Sequence, residues 1–261
     1  MNTIFKTKTT ISLYFLIVIF LLSCRKGTDI APNQPKCRLS KISGILSVAN
    51  IEFKYSSQNQ LVSYSSPQEQ TFATFKYNSK GNVSDVIWYS DTIQNLQKSY
   101  IVYKLSYDSN NNLTEFSTDW KNNPNANGIE YTSVIMNEKK QVISLKYATY
   151  IENFVYDSRG NVIKTYSSSI KNPQAIPKIY IEYGYDNMRN KFQNLPWFFQ
   201  FRFTDDKGFG ENNFISEKFV DGTTFTENNL SKIAYNENGY PSGLLWVDGK
   251  SLFVNYEYNC D

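Results

Sequence analysis

The sequence predicts an all-β protein, an antiparallel up-and-down meander of about 12 to 16 strands that curves into a closed or nearly closed barrel. A turn phrase recurs along the chain, alternating apolar and polar residues flank it, and no long window shows a helical stripe. The phrase, Tyr-Asn/Asp-Ser-x-Gly/Asn-Asn-Val/Leu, occupies residues 77–83, 107–113 and 156–162. Looser copies begin at Tyr55, Met136, Tyr185 and Tyr235. A period of roughly 20 to 30 residues corresponds to one hairpin and its connection to the next.

Each copy of the phrase has the residues of a hairpin closed by a type I turn and a G1 bulge. Asn or Asp stands first in the turn, where its side chain can accept backbone N–H groups, and the fourth turn position requires a positive φ. Gly81, Gly160 and Gly239 fill that fourth position in three copies. Asn111 fills it in a fourth copy, and asparagine tolerates the left-handed region well. These four residues are the predicted turn-defining residues.

The segments between the turns alternate as half-buried strands do. In 99–107, Ile101, Tyr103 and Leu105 point to one side while Lys104 and Ser106 point to the other. The segment from Trp197 to Phe203 also alternates and is expected to be a core-facing strand, although its additional Phe198 has no explanation in that pattern.

Tight turns at one end of a meander place the other connections at the opposite end. Those connections are longer, notably 90–98, 120–128 and 167–178, and binding residues often lie on long loops held by a rigid scaffold. Trp88 and Trp120 are the candidate ligand aromatics, because strand or loop aromatics that face water can stack on sugars. The alternative is that both simply pack in the structure.

The N-terminus has the pattern of a bacterial lipoprotein signal. Lys6 and Lys8 precede an apolar run of 12 residues that is followed directly by Leu-Leu-Ser-Cys, and the run is too short to span a membrane. We therefore expect a signal peptide at 1–23, lipid attachment at Cys24, a flexible tether over 24–36 and one domain over 37–261. An ordinary secretory signal with a chance cysteine is the alternative. Two acyl chains would hold the protein stably on a membrane, the outer membrane in our interpretation, facing the periplasm or the cell exterior.

Two cysteines remain, Cys37 at the start of the domain and Cys260 near its end. In an oxidising cell envelope they could form a disulfide, which would contribute about 4 to 5 kcal/mol because it closes a loop of this length. Two unpaired thiols are the alternative that the sequence leaves open.

Composition excludes several functional classes. The chain contains no histidine, which removes Ser-His and Cys-His catalysis and the commonest zinc ligand. Its net charge of +3 falls to about +1 once Lys6 and Lys8 are removed, so nothing indicates a nucleic-acid partner. We expect no catalytic residues, no cofactor and no metal.

The repeat resembles the YD repeats of Rhs-type proteins. More of the chain resembles envelope lipoproteins of unknown function with a porin-like β fold, on the lipobox at 21–24, the opening Cys37-Arg38-Leu39-Ser40-Lys41-Ile42, the phrase 185–192 and the ending Tyr256-Glu257-Tyr258-Asn259-Cys260. The chain departs from that pattern at Met136, where the tyrosine is missing, and at Lys191, where proline is usual. The resemblance implies a meander barrel and no established activity.

These observations favour an acyl-anchored, non-enzymatic scaffold or binding module with a glycan or protein ligand. The first alternative is a glycan-binding module or glycoside hydrolase that uses loop aromatics and carboxylates. The second is an outer-membrane pore, although the expected outward residues Glu52, Lys54, Lys104, Glu182 and Glu257 are charged, unlike a lipid-facing band.

Overall fold

A computed structural model describes residues 37–44, 50–66, 71–90, 99–123, 128–173, 179–203, 210–221, 224–229, 232–245 and 252–260. The chain divides into two units, Met1–Gln34 and Pro35–Asp261, and every described residue belongs to the second. The predicted signal peptide, Cys24 and the tether lie outside the described residues.

Seventeen strands and one short helix make up the described fold. The first nine strands are β1 (Cys37–Gly44), β2 (Ile51–Tyr55), β3 (Leu61–Ser66), β4 (Thr71–Tyr77), β5 (Val83–Ser90), β6 (Tyr100–Tyr107), β7 (Leu113–Lys121), β8 (Ile129–Met136) and β9 (Val142–Lys146). They are followed by β10 (Tyr150–Tyr156), β11 (Val162–Ser169), β12 (Ile179–Arg189), helix α1 (Trp197–Phe203), β13 (Asn212–Asp221), β14 (Thr224–Asn229), β15 (Lys232–Tyr235), β16 (Pro241–Leu245) and β17 (Leu252–Cys260).

The strands form one antiparallel meander that nearly closes into a barrel, which confirms the predicted fold class. Pairing runs in order from β1 to β14 and from β15 to β17, and β17 pairs with β1. All these pairings are antiparallel, so each strand runs opposite to its neighbour. When directions are followed from β1 through β13 to β14, and from β1 through β17 and β16 to β15, the strands β14 and β15 run in the same direction. They act as the two halves of one strand position, and the barrel has sixteen such positions.

A seam between the first and last strands completes this arrangement. Seven residue pairs join β1 to β17, from Cys37 opposite Cys260 to Gly44 opposite Val254. Cys37 and Cys260 form a disulfide across the seam. The bridge fixes the two ends of the domain to each other.

Six tight turns lie at one end of the barrel, and we call this end the tight-turn rim. In the turn 78–82, Asn78 Oδ1 accepts hydrogen bonds from the backbone N–H groups of Lys80 and Asn82, both at 3.0 Å. The backbone N–H of Gly81 donates to the carbonyl of Asn78 at 3.0 Å. The corresponding side chains of the other five turns are Ser56, Asp108, Asn137, Asp157 and Asn236. Positive φ values occur at Asn59, Gly81, Asn111, Lys140, Gly160 and Gly239.

The tyrosines of the repeat form a ladder of hydrogen bonds just inside this rim. Each tyrosine hydroxyl donates to a backbone carbonyl of the preceding strand, and in four of the five bonds that carbonyl belongs to the residue that follows a tight turn. The five bonds run from Tyr55 to Leu39, Tyr77 to Leu61, Tyr107 to Val83, Tyr156 to Val142 and Tyr185 to Val162, at 2.6 to 2.8 Å. The repeat therefore links each hairpin to its neighbour as well as closing its own turn.

Helix α1 lies among the inward-facing side chains of the barrel, and it corrects the expectation of a strand over Trp197–Phe203. Phe199 packs against Phe53, Tyr64 and Phe75 at ring-centroid distances of 5.6 to 5.9 Å. A short segment rich in aromatic residues is stable when protein surrounds most of it, and a helix satisfies its backbone without a sheet neighbour.

The other face of α1 explains Phe198, the residue that had no explanation in the strand pattern. Phe198 packs on Tyr103 and Phe116 at 5.2 and 5.3 Å. Two consecutive phenylalanines can contact two different strands of the wall because successive helical side chains diverge by about 100°.

Candidate functional site

An open cleft lies at the end of the barrel opposite the tight-turn rim, which we call the loop rim. Its volume is about 640 Å³, within the range of small-molecule sites. Strands β10 to β13 and the C-terminal half of α1 form its walls. Among the described residues, β11 and β12 pair only through Lys164 with Glu182 and Thr165 with Ile181. The strand ends beyond those pairs leave space for the cleft.

Side chains from β10 and the turn before it form one wall. The rings of Tyr147 and Tyr150 stack at 4.5 Å with an angle of 18° between them. The Tyr147 hydroxyl donates to Glu152 Oε2 at 3.4 Å. Burial, followed by the negative charge of Glu152, raises the pKa of Tyr147, so this hydroxyl stays protonated and can act as a donor at neutral pH.

Helix α1 contributes the cleft's cation. Arg202 lies near the helix C-terminus, and its Nε donates to the Tyr103 hydroxyl at 3.0 Å. The guanidinium also lies 5.5 Å from the centre of the Tyr103 ring. The side chain is nevertheless exposed, because the cleft is open to solvent. Helix α1, which we call the plug because it lies inside the barrel, thus presents a fixed positive group to any molecule in the cleft.

The far wall carries hydroxyls, and a second carboxylate lies next to it on β13. The hydroxyls of Tyr183 and Thr165 are 2.9 Å apart and hydrogen bonded. Glu217 lies opposite Tyr183 in the register of β12 and β13. Burial raises the pKa of Tyr183, and the charges of Glu217 and Glu152 raise it further. Both carboxylates therefore act on the same hydroxyl.

Apolar side chains complete the lining. Ile179 and Phe219 share the inward-facing register of Ile181, yet they are 52% and 43% exposed. Inward positions elsewhere in the barrel, such as Ile101 and Val86, are buried almost completely. This contrast marks the loop-rim end beside β10–β13 as a part of the interior that its own side chains do not fill.

The predicted aromatics do not lie in this cleft. Trp88 and Trp120 flank Ile101 on three adjacent strands, with Trp88 opposite Ile101 in one pairing and Ile101 opposite Trp120 in the next. Both are half-buried and packed against the core, so the expectation that they face water is wrong. Ile101 alternates inward, and a ladder partner of an inward residue also points inward.

The other predicted site residues lie at the tight-turn rim or outside the described residues. Gly81, Asn111, Gly160 and Gly239 each hold a positive φ in a turn. Cys37 and Cys260 form the disulfide, while Cys24 is among the residues that the structure does not describe.

Sequence reasoning missed the residues that line the cleft. The signal was Glu152, an acid that alternates in phase with the inward Phe154 on β10. An acid in an inward position is costly unless it meets water or polar partners. The inward alternation of Glu152 therefore indicates that water or polar groups reach this part of the interior. Arg202 could not be found in this way because its segment was assigned to a strand.

Two kinds of feature are absent from the described residues. They contain no group of three or more acidic, cysteine or histidine residues placed to hold a metal ion. They also contain no helix with the length and apolar character needed to cross a bilayer.

Comparison with known proteins finds likenesses to solved structures. No family model matches the chain, and no curated protein matches it. It is similar to a crystal structure of a porin-like protein from Bacteroides vulgatus ATCC 8482, with a TM-score of 0.38 and 8% identity over 86% of this chain and 99% of that one. A second likeness, to a crystal structure of TcdB2-TccC3-TEV, has a TM-score of 0.25 and 10% identity over 77% of this chain and 11% of the other. Both TM-scores are low, so function is argued from this chain's own residues.

Proposed function

We propose that the chain is a cell-envelope lipoprotein whose barrel is a non-catalytic binding module, with the loop-rim cleft as its ligand site. The observation that carries this proposal is the contrast between inward residues that are buried, such as Ile101 and Val86, and the exposed inward residues Ile179 and Phe219 beside the cleft. The proposal includes lipid attachment at Cys24, anchoring at the outer membrane and no nucleic-acid or cofactor partner.

The chemistry of the cleft suits a ligand with both apolar faces and polar edges. Tyr147 and Tyr150 offer aromatic surface next to the carboxylate of Glu152, and Arg202 offers guanidinium donors in the same cleft. Oligosaccharides present such alternating apolar faces and hydroxyl groups, and aromatic side chains stack on those faces. A glycan is therefore the ligand class that this lining favours.

A glycan array probed with the full-length protein tests this proposal. The wild-type protein should bind a defined set of glycans, and Tyr150→Ala and Arg202→Ala should each weaken that binding about tenfold or more, a change of at least 1.4 kcal/mol. Lys104→Ala is the matched control, because Lys104 is exposed on the outer face of β6. Unchanged binding in both cleft variants would place the site elsewhere.

A glycoside hydrolase is the alternative that one specific observation supports. Glu152 and Glu217 both act on Tyr183 within the same interior region, and glycosidases use two carboxylates about 5 to 10 Å apart. If this alternative holds, hydrolysis of a bound glycan should disappear in both Glu152→Gln and Glu217→Gln. Binding without hydrolysis by the wild-type protein supports the non-catalytic module.

The pore alternative has less support. Phe198 and Phe199 are 2% and 1% exposed within the barrel, where a channel would need water. On the outside, Glu52, Lys54 and Lys104 are exposed. We expect no conductance when the protein is added to planar lipid bilayers, and stable single-channel currents would overturn this proposal.

Anchoring can be tested separately. The Cys24→Ala variant should move from the membrane fraction to the soluble fraction and should lose incorporation of labelled palmitate. Retention on the membrane with no label in the wild-type protein would contradict lipid attachment.

A further inference from the structure

The tyrosine ladder has one missing rung. Met136 stands opposite Val142 in its hairpin, the same register position that Tyr107 holds opposite Leu113 and Tyr156 holds opposite Val162. The ladder rule predicts that a tyrosine at position 136 would reach the carbonyl of Leu113. Methionine has no hydroxyl and no ring, so both the bond and the ring volume are absent at this place.

A cavity of about 420 Å³ lies where the rung is missing. Met136, Leu113 and Val142 line it, as do the neighbouring ladder residues Tyr77 and Tyr107. Close packing is the rule inside proteins, so an unfilled space of this size next to a substituted repeat residue calls for an explanation. The space is large enough for a small ligand.

This cavity is distinct from the loop-rim cleft. Its lining includes the beginning of α1, Trp197 and Phe198, whereas the cleft is lined by Phe201 and Arg202 at the end of that helix. The helix therefore lies between two sites at opposite ends of the barrel. The residues of the tight-turn rim, among them Asn82 and Asn111, surround the cavity's opening.

The lining has an apolar interior and a neutral polar rim. The walls are mostly aliphatic and aromatic, and Leu61, Leu113 and Val142 are almost completely buried. Carboxamides surround the opening, from Asn59, Gln60, Asn82, Asn111, Gln193 and Asn194. None of the lining residues carries a charge.

This distribution selects the ligand class. A sugar would bury hydroxyl groups against aliphatic walls, which costs free energy for each hydroxyl left without a partner. A fatty acid or a phosphate would bring a charge to an opening whose lining residues are all uncharged. Arg38 and Lys80 lie just outside it, and each already donates a hydrogen bond, to Asn59 Oδ1 and to Ser109 O. A slender apolar body with an uncharged polar head would meet both requirements, because amides at the rim can donate to and accept from that head.

We propose that this cavity binds one acyl chain of an uncharged acyl lipid, such as a monoacylglycerol, and that the loss of the repeat tyrosine at Met136 opens the site. The acyl chain lies beside Met136 and Leu113, and the neutral head lies among the rim carboxamides. This site does not depend on the proposed glycan site, and its test uses different ligands and variants.

The test uses the full-length Cys24→Ala chain, which lacks the predicted acyl chains of the protein itself, and monoacylglycerol brominated on the acyl chain as a quencher of tryptophan fluorescence. Quenching should saturate, unbrominated monoolein should reverse it, and oleate should compete about tenfold less well because of its charge. Trp197→Phe in a Trp246→Phe background should remove most of the quenching, because Trp197 lines this cavity, Trp88 and Trp120 do not, and Trp246 lies outside the described residues. Equal competition by oleate, or quenching that persists in Trp197→Phe, would overturn the proposal.

Two variants locate the site on the ladder. Met136→Tyr should restore the rung, fill the cavity and weaken monoolein binding about tenfold or more. Tyr185→Phe is the matched control, because it removes a ladder hydroxyl at a residue that does not line this cavity, so affinity should stay within about twofold. Wild-type affinity in a folded Met136→Tyr chain would refute the site. If that chain does not fold, the quenching result with Trp197→Phe decides.

The source of the acyl chain can also be distinguished. If the protein's own lipid occupies the cavity, the lipidated wild-type chain will show no quenching while Cys24→Ala does. If a free or membrane lipid is the ligand, both chains will be quenched. Absence of quenching in both chains would refute the proposal.

Discussion

Removal of the disulfide between Cys37 and Cys260 should destabilise the barrel by about 5 kcal/mol. The bridge joins the first and last strands across 223 positions of sequence, so it closes nearly the whole domain into one loop. The chain-entropy relation gives a loss of about 18 cal/mol/K for a loop of that length, which is about 5 kcal/mol at 25 °C. The fold itself should survive, because the seam between β1 and β17 keeps its ladder pairs without the bridge.

Equilibrium urea unfolding of the Cys37→Ala/Cys260→Ala double variant tests this value. The midpoint should fall sharply for the double variant and for the wild-type chain in reductant, while reductant should have no effect on the double variant. Cys24→Ala is the matched control and should unfold like the wild-type chain. A loss below about 1 kcal/mol would refute the reasoning, because it would mean that the bridge does not restrict the unfolded chain as that relation requires.

Four further predictions concern the turns, the ladder and the plug. Gly81→Val and Gly160→Val should each cost about 1 to 3 kcal/mol by urea unfolding, since valine is strained at positive φ; unchanged stability in both would contradict the turn assignment. Tyr107→Phe should cost about 1 to 3 kcal/mol by the same measurement, because the Val83 carbonyl loses its donor, and a neutral effect would show that the ladder bond is not needed. Phe199→Ala should cost about 3 to 5 kcal/mol in thermal or urea unfolding, and a much smaller loss would mean that the plug is loosely packed. Burial raises the pKa of Tyr77 to about 12, so stability should be lost as pH rises from about 10 through 12; this loss should be smaller in Tyr77→Phe, and equal pH profiles would exclude Tyr77 as a cause.

Much of the fold could be predicted because its signals are local. A positive φ at Gly81 or Gly160 depends on the few residues of one turn, and inward alternation in β6 depends on one strand. The repetition of these signals made the meander architecture readable. The same repetition concealed the ladder, because a bond such as that from Tyr107 to Val83 joins two hairpins and is not visible within either one.

The sites were less predictable because they depend on what fills the interior. The positions of Trp88 and Trp120 in the sequence, near loops, predict that they face water. In the sheet both lie opposite the inward-facing Ile101, which places them against the core. Glu152 and Arg202 meet in one cleft only because β10 and α1 come together inside the barrel.

The hairpins, their turns and the alternation of their faces are encoded locally, since each of these follows from backbone and side-chain preferences over a few residues. The helix at Trp197–Phe203 depends on long-range packing, because its alternating aromatics fit a strand until strands of the barrel wall surround them. Tertiary structure also decided where space remains. The two cavities lie where side chains of the barrel wall and of the plug do not fill the space between them. The size of that space depends on side chains far apart in the chain.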